Sequence, residues 1–171
     1  NTTGSLNTFY GQESGFANTT GSYNTFSGFW AGFTNTTGYY NTFLGKQAGF
    51  LNTTGFENTF SGVGAGFNNT TGSYNTFSGV WAGSDNTTGS YNTSSGYNAG
   101  AANTTGNRNV FLGYEAGFSE TGSNKLYIAN SSADANVLIY GNFLTRRVGL
   151  GTTNPSHSLD SVGGRVQVTD S

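Results

Sequence analysis

The sequence predicts an all-β fold: a β-solenoid, or β-roll, of about seven turns with a β-rich C-terminal cap. Three observations carry this. First, a seventeen-residue unit, typified by NTTGSYNTFSGVWAGSD at Asn69–Asp85, recurs with copies beginning at Asn1, Asn18, Asn35, Asn52, Asn69, Asn86 and Asn103, without insertion or deletion. A strict period means a stack of one structural unit, and a helix-turn-helix repeat needs about 33 residues or more. Second, each unit holds at least three glycines beside its Thr and Asn residues, all poor helix formers. Third, residues alternate with the period of a strand, as in Asn75-Thr76-Phe77, where Asn and Phe point one way and Thr the other.

Within the unit, numbered 1 to 17, position 1 is always Asn, 2 and 3 always Thr, and 4 always Gly. Position 7 is always Asn, and positions 11 and 15 are always Gly. Position 9 is Phe except at Ser94, and position 14 is Ala except at Ser14. Two short strands per unit are expected, at positions 7–9 and at 14–16 (Ala65 and Phe67 in the fourth copy). NTTG and the residues around position 11 read as turns, where glycine supplies φ > 0.

Such strands bury a core only when stacked, each pairing with its equivalent one turn on, about 4.8 Å away. Two aromatic stacks are then expected in the lumen. One is Phe26, Phe43, Phe60 and Phe77 at position 9; the other is Phe33, Phe50 and Phe67 at position 16. Asn24, Asn41, Asn58, Asn75 and Asn92 at position 7 are expected to form an inward amide ladder, which satisfies polar groups that are costly to bury.

The repeat occupies residues 1–119 and fades around Ser119–Asn124, leaving 120–171 as a β-rich capping or trimerisation region. SETGSNKLYI reads as an eighth unit one residue short. Lys125–Ala129, Val137–Tyr140, Arg146–Leu150 and Arg165–Thr169 read as strands, and Ala133-Asp134, Gly141-Asn142 and Thr153-Asn154-Pro155 as turns. This end would blunt the open edge of the coil.

Composition narrows the function. Charged residues are 8% and the net charge is −2, so no basic stripe for nucleic acid exists. No apolar run approaches membrane-spanning length. Cys and Met are absent, which removes disulfides and thiolate chemistry and suits an extracellular setting. No leader is visible, and the chain begins in phase with the repeat, as a piece of a longer protein would.

Few residues are placed to carry chemistry. The one histidine, His157, lies in PSHSLD beside Ser156, Ser158 and Asp160, and reads as a polar turn rather than a catalytic triad. Carboxylates at Glu13, Glu57, Asp85, Glu115, Glu120 and Asp134 show no repeated spacing for a glycosidase pair or a calcium ladder. No cofactor is called for. Every NTT is formally an N-glycosylation sequon, though an Asn-Thr turn ladder explains the same residues. The outward aromatics are the informative surface: Tyr23 and Tyr74 at position 6, and Trp30, Trp81 and Tyr97 at positions 12 and 13. Exposed apolar rows mark a partner, here first another copy of the chain and second a surface glycan.

NTTGSYNTFSGVWAG, followed by NKLYIAN, NVLIYGNF and RRVGLGTTNPSHSLDSVGG, resembles the repeat stalk of phage tail fibres and bacterial surface proteins that carry an endosialidase-type intramolecular chaperone. The unit is also similar to the head repeats of trimeric autotransporter adhesins. The resemblance implies a homotrimeric, non-enzymatic fibre or adhesin segment on a virion or bacterial surface. It also implies a chaperone that cuts itself off near a Ser-Asp junction. None of that chaperone's sequence is present, so none of its residues is carried over; the ending Asp170-Ser171 is compatible with such a cut. Two other roles stay open. Threonine rows at positions 2, 3 and 8 suit an ice-binding solenoid, and stacked coils suit a self-assembling filament.

Overall fold

A computed structural model describes residues 2–133 and 136–162. Arg165–Thr169, the Asp170-Ser171 ending, Asp134 and Asn1 lie outside the described residues. Among the described residues eleven strands form one sheet in sequence order: β1 Thr8–Tyr10, β2 Thr25–Ser27, β3 Thr42–Leu44, β4 Thr59–Ser61, β5 Thr76–Ser78, β6 Thr93–Ser95, β7 Val110–Leu112, β8 Lys125–Ala129, β9 Val137–Asn142, β10 Arg147–Leu150 and β11 Leu159–Ser161. β1 to β8 pair in parallel, and through β7 each residue faces its equivalent one turn on, as Phe26 faces Phe43 and Phe43 faces Phe60. The chain is a β-solenoid of about seven turns at seventeen-residue spacing.

The strand faces follow from the alternation. Asn at position 7 and Phe at position 9 point inward, and Phe26, Phe43, Phe60 and Phe77 are at most 1% exposed. Their rings stack 4.7–4.9 Å apart and nearly parallel, at 6–7° between planes. Positions 8 and 10 point outward.

Positions 14–16 differ from the expected second strand. Each unit holds one strand, and the span from position 11 is a turn. The Ala31 N–H donates to Gly28 O at 3.2 Å, and the Asn35 N–H to Gly32 O at 3.1 Å. Gly28 at φ 141° and Gly32 at φ 59° set this path. The bend breaks the strand alternation, so adjacent residues at positions 14 and 15, such as Ala31 and Gly32, are buried together. Gly32 lies flat against the Phe26 ring, where a β-carbon would collide with it. The core is thus one Phe column facing one Ala column. Phe33, Phe50 and Phe67 fall outside this lumen cluster. They are half-buried and stack in a column of their own, 5.0–5.3 Å apart.

Two Asn ladders run through the coil. At position 7, Asn24 Oδ1 accepts the Asn41 N–H at 2.9 Å, while Asn24 Nδ2 donates to Gly38 O at 2.8 Å. Asn41, Asn58, Asn75 and Asn92 repeat the pattern. The second ladder, at position 1, joins amide to amide: Asn35 Nδ2 donates to Asn18 Oδ1 at 2.8 Å and to Gly38 O at 3.0 Å. It continues through Asn52, Asn69 and Asn86. There it stops. Asn103 Nδ2 instead donates to Glu120 O and Gly122 O of the shortened eighth turn, which leaves Oδ1 of Asn86 and of Asn103 buried without a partner.

Past β7 the coil is extended by one more parallel strand, Phe111 facing Tyr127. β9 then returns antiparallel to β8, β10 antiparallel to β9, and β11 parallel to β10. A second apolar cluster supports this end, built from Ala99, Phe111, Ala116, Tyr127, Ala129, Val137 and Tyr140. Gly141-Asn142 is the end of β9 and not the expected turn, because both residues pair with β8 and β10. The reversal comes at residues 143–146, where Asn142 Oδ1 accepts the N–H groups of Leu144 and Thr145 and Arg146 sits at φ 58°. Among the described residues no helix is long and apolar enough to cross a membrane.

Candidate functional site

The outward side chains fall on two edges that flank the strand face. The first is the position-6 column: Leu6, Tyr23, Tyr40, Glu57, Tyr74, Tyr91 and Arg108. Every one of them has φ between 53° and 62°. The second follows positions 12 and 13, with Phe29-Trp30, Lys46-Gln47, Val63-Gly64, Val80-Trp81, Asn98 beside Tyr97, and Glu115 beside Tyr114. Its position-13 residues are again left-handed, at φ 50–64°. A non-glycine residue there is strained by about 1–2 kcal/mol. Gly64 shows that the backbone accepts glycine, yet both edges otherwise carry large side chains.

On the tyrosine edge the rings stack on each other. Tyr23 and Tyr40 lie 4.7 Å apart at 22°, and Tyr74 and Tyr91 lie 4.7 Å apart at 5°. Arg108 sits over Tyr91 at 5.6 Å. Ring faces are therefore turned to neighbouring turns, and ring edges and hydroxyls face outward. Glu57 interrupts the column between Tyr40 and Tyr74. Desolvation, and then the Glu57 charge, raise the Tyr74 phenol above its ordinary value.

On the tryptophan edge, Trp30 stacks on Phe29 at 4.4 Å, and its Nε1 donates to Glu13 Oε2 at 2.7 Å. It also leans on Phe33 and Phe50 at 5.9 and 5.7 Å. Trp81 folds down over the bare α-carbon of Gly64 and against Phe67 at 5.8 Å. Tyr97 and Tyr114 stack at 5.4 Å. The Glu115 charge raises the Tyr114 phenol first, with burial second. The half-buried Phe33, Phe50 and Phe67 are the floor of this edge, a role that the strand pattern hid.

Between the edges lies the outward strand face. Thr25, Thr59, Thr76 and Thr93 are exposed at position 8, and Ser replaces a bulky residue at position 10 in Ser27, Ser61, Ser78 and Ser95. Position-2 hydroxyls are occupied: Thr19 Oγ1 donates to Thr36 O at 2.9 Å, and the column repeats this.

The remaining candidates resolve differently. Ser156 Oγ donates to Asp160 Oδ2 at 2.9 Å and lies 2.9 Å from His157 Nδ1. Serine stands between histidine and aspartate, whereas a triad needs histidine between the other two. The two Ser156 hydrogen bonds hold the Asp160 carboxyl below its ordinary value, with His157 adding to them. Sequon residues Asn18, Asn35, Asn52, Asn69, Asn86 and Asn103 are at most 3% exposed and are ladder members. Among the described residues no group of three or more His, Asp or Glu could hold a metal ion.

No family model matches the chain, and comparison with curated proteins and with solved structures returns no match. The geometry defines the class of the protein: a β-solenoid repeat protein.

Proposed function

We propose that the chain is a non-enzymatic shaft segment of a homotrimeric surface fibre, of the tail-fibre or adhesin kind, displayed outside the cell or on a virion. The observation that carries this reading is the uninterrupted parallel ladder from β1 to β8, with its Phe and Asn columns. A coil of identical turns resists bending and sets a fixed length, which are the demands on a spacer. Exposed Tyr23 and Tyr74 on one edge, and exposed Tyr97 with half-buried Trp30 and Trp81 on the other, supply surface for joining copies, and ring edges left at the rim supply contacts for a surface glycan.

Light scattering on a size-exclusion column tests it. The expected mass is three times 17.8 kDa, with the early elution of an elongated particle. A monomer at every concentration overturns it.

A second reading is favoured by one observation. Thr59/Ser61, Thr76/Ser78 and Thr93/Ser95 give three successive turns of paired outward hydroxyls. That is the start of an ice-binding array, although Tyr10, Leu44 and Leu112 interrupt the same column. Thermal hysteresis of the purified chain separates the two readings.

A further inference from the structure

The charges on the two edges are matched apart from Glu13, which starts the tryptophan edge and is held there by Trp30 Nε1. Residues 1–119 contain only two cations, Lys46 and Arg108. Lys46 is the one charge in the middle of the tryptophan edge, and Glu57 the one charge in the middle of the tyrosine edge. Arg108 ends the tyrosine edge, and Glu115 ends the tryptophan edge. Each opposite-charge pair is separated by fewer residues than one turn, so its members differ in height along the coil by less than about 4.8 Å. Within one chain the strand face keeps the edges apart, and among the described residues neither pair forms a salt bridge.

The geometry points to a second copy of this chain as the occupant: the tyrosine edge of one copy packs against the tryptophan edge of the next, parallel and at equal height. This rests on the fibre-shaft reading and names its interface. Edge-to-edge contact of this kind joins two different surfaces, and with the copies at equal height it makes a ring where the rotation closes. Glu57 then lies within one turn's rise of the Lys46 of a second copy, and Arg108 within one turn's rise of its Glu115, a reach that these long side chains span. The apolar parts coincide in part: Tyr23 shares its turn with Phe29-Trp30, Tyr74 with Val80-Trp81 and Tyr91 with Tyr97, and both edges lack an aromatic in the turn of Glu57. Packing like edges together would set Glu57 against Glu57, which disfavours association. Turning one copy end for end carries Lys46 to the level of Tyr74 and removes its anion. The strain at positions 6 and 13 fits the same picture, because it places large side chains on these edges where glycine would be easier.

A charge-swap cycle tests the pairing. Glu57→Lys and Lys46→Glu alter exposed side chains outside the core clusters. Each single swap is expected to raise the concentration at which the oligomer dissociates on the order of tenfold. The double swap is expected to restore it. Arg108→Glu with Glu115→Arg gives an independent second cycle. Circular dichroism checks that each variant keeps its fold. An oligomer whose mass and dissociation ignore the single swaps, or a double swap that fails to recover, overturns the edge pairing and leaves the fibre reading standing. A wild-type chain that is monomeric throughout overturns both.

Discussion

Phe77 faces Ser94 in register, and there the aromatic column of the lumen stops. Six of the seven turns carry Phe at position 9. The one serine divides the interior into two apolar clusters, with Phe77 and Ala82 at the end of one and Ala99 and Phe111 at the start of the other. The Phe111 ring leans into the gap and covers Gly100, which in every other turn touches the ring of its own strand.

Ser94→Phe is expected to join the clusters. Phe111 would swing back to a stacked position, and the chain should gain about 1 kcal/mol from the restored ring pairs. Urea unfolding measures this; a loss of stability would mean that the sixth turn has closed around the serine.

Phe60→Ala and Phe67→Ala separate lumen from edge. Phe60 is fully buried between two rings, so its removal should cost about 3–5 kcal/mol. Phe67 is half-buried, and its loss should cost clearly less. Equal melting-point shifts for the two would contradict the single-column core.

Asn52→Ala removes the middle of the amide ladder. It leaves Asn35 Oδ1 buried without its donor, while Asn69 Nδ2 and Gly55 O each lose one of two partners. Each buried polar group left unpaired costs about 1–3 kcal/mol. Denaturant titration should show a loss on that scale although an exposed Thr54→Ala is near neutral.

The buried sequons should stay bare. In a glycosylating host the folded chain is expected to show no hexosamine mass at Asn18 to Asn103, because each amide is enclosed and already bonded. Peptide-level mass spectrometry decides it, reading these sites apart from the exposed sequon Asn130-Ser131-Ser132.

The Ser156–Asp160 turn should loosen in acid. The Asp160 carboxyl titrates lower in the folded chain than when unfolded, so its contribution is present above the unfolded value and is lost as pH falls through the folded one. A carbon NMR titration should place its midpoint below that of an ordinary aspartate, and Ser156→Ala should move it up.

Much of this architecture can be read from the residues. Asn75-Thr76-Phe77 alternates, and a strand has no other way to place those side chains, so lumen and outer face follow directly. The position-16 rings mislead because alternation fails across a glycine at positive φ, such as Gly32, and the chain changes face there. The position-1 ladder hides inside a motif that reads as a turn. Its signal was available: Asn at position 1 is as invariant as Asn at position 7, and a solvent-facing turn would not demand that. β11 was masked by the polar run PSHSLD. The edges were legible as outward rows, but the charge match between Lys46 and Glu57 appears only once height along the coil is known.

The break in the amide ladder has a mechanical consequence. Turns in a coil pulled along its axis carry the same force in series, so the weakest junction sets the load limit. The orphaned oxygens of Asn86 and Asn103 and the missing ring at Ser94 fall in two adjacent turns, residues 86–102 and 103–119. Under tension the coil would part there, and the turns on either side would come away whole.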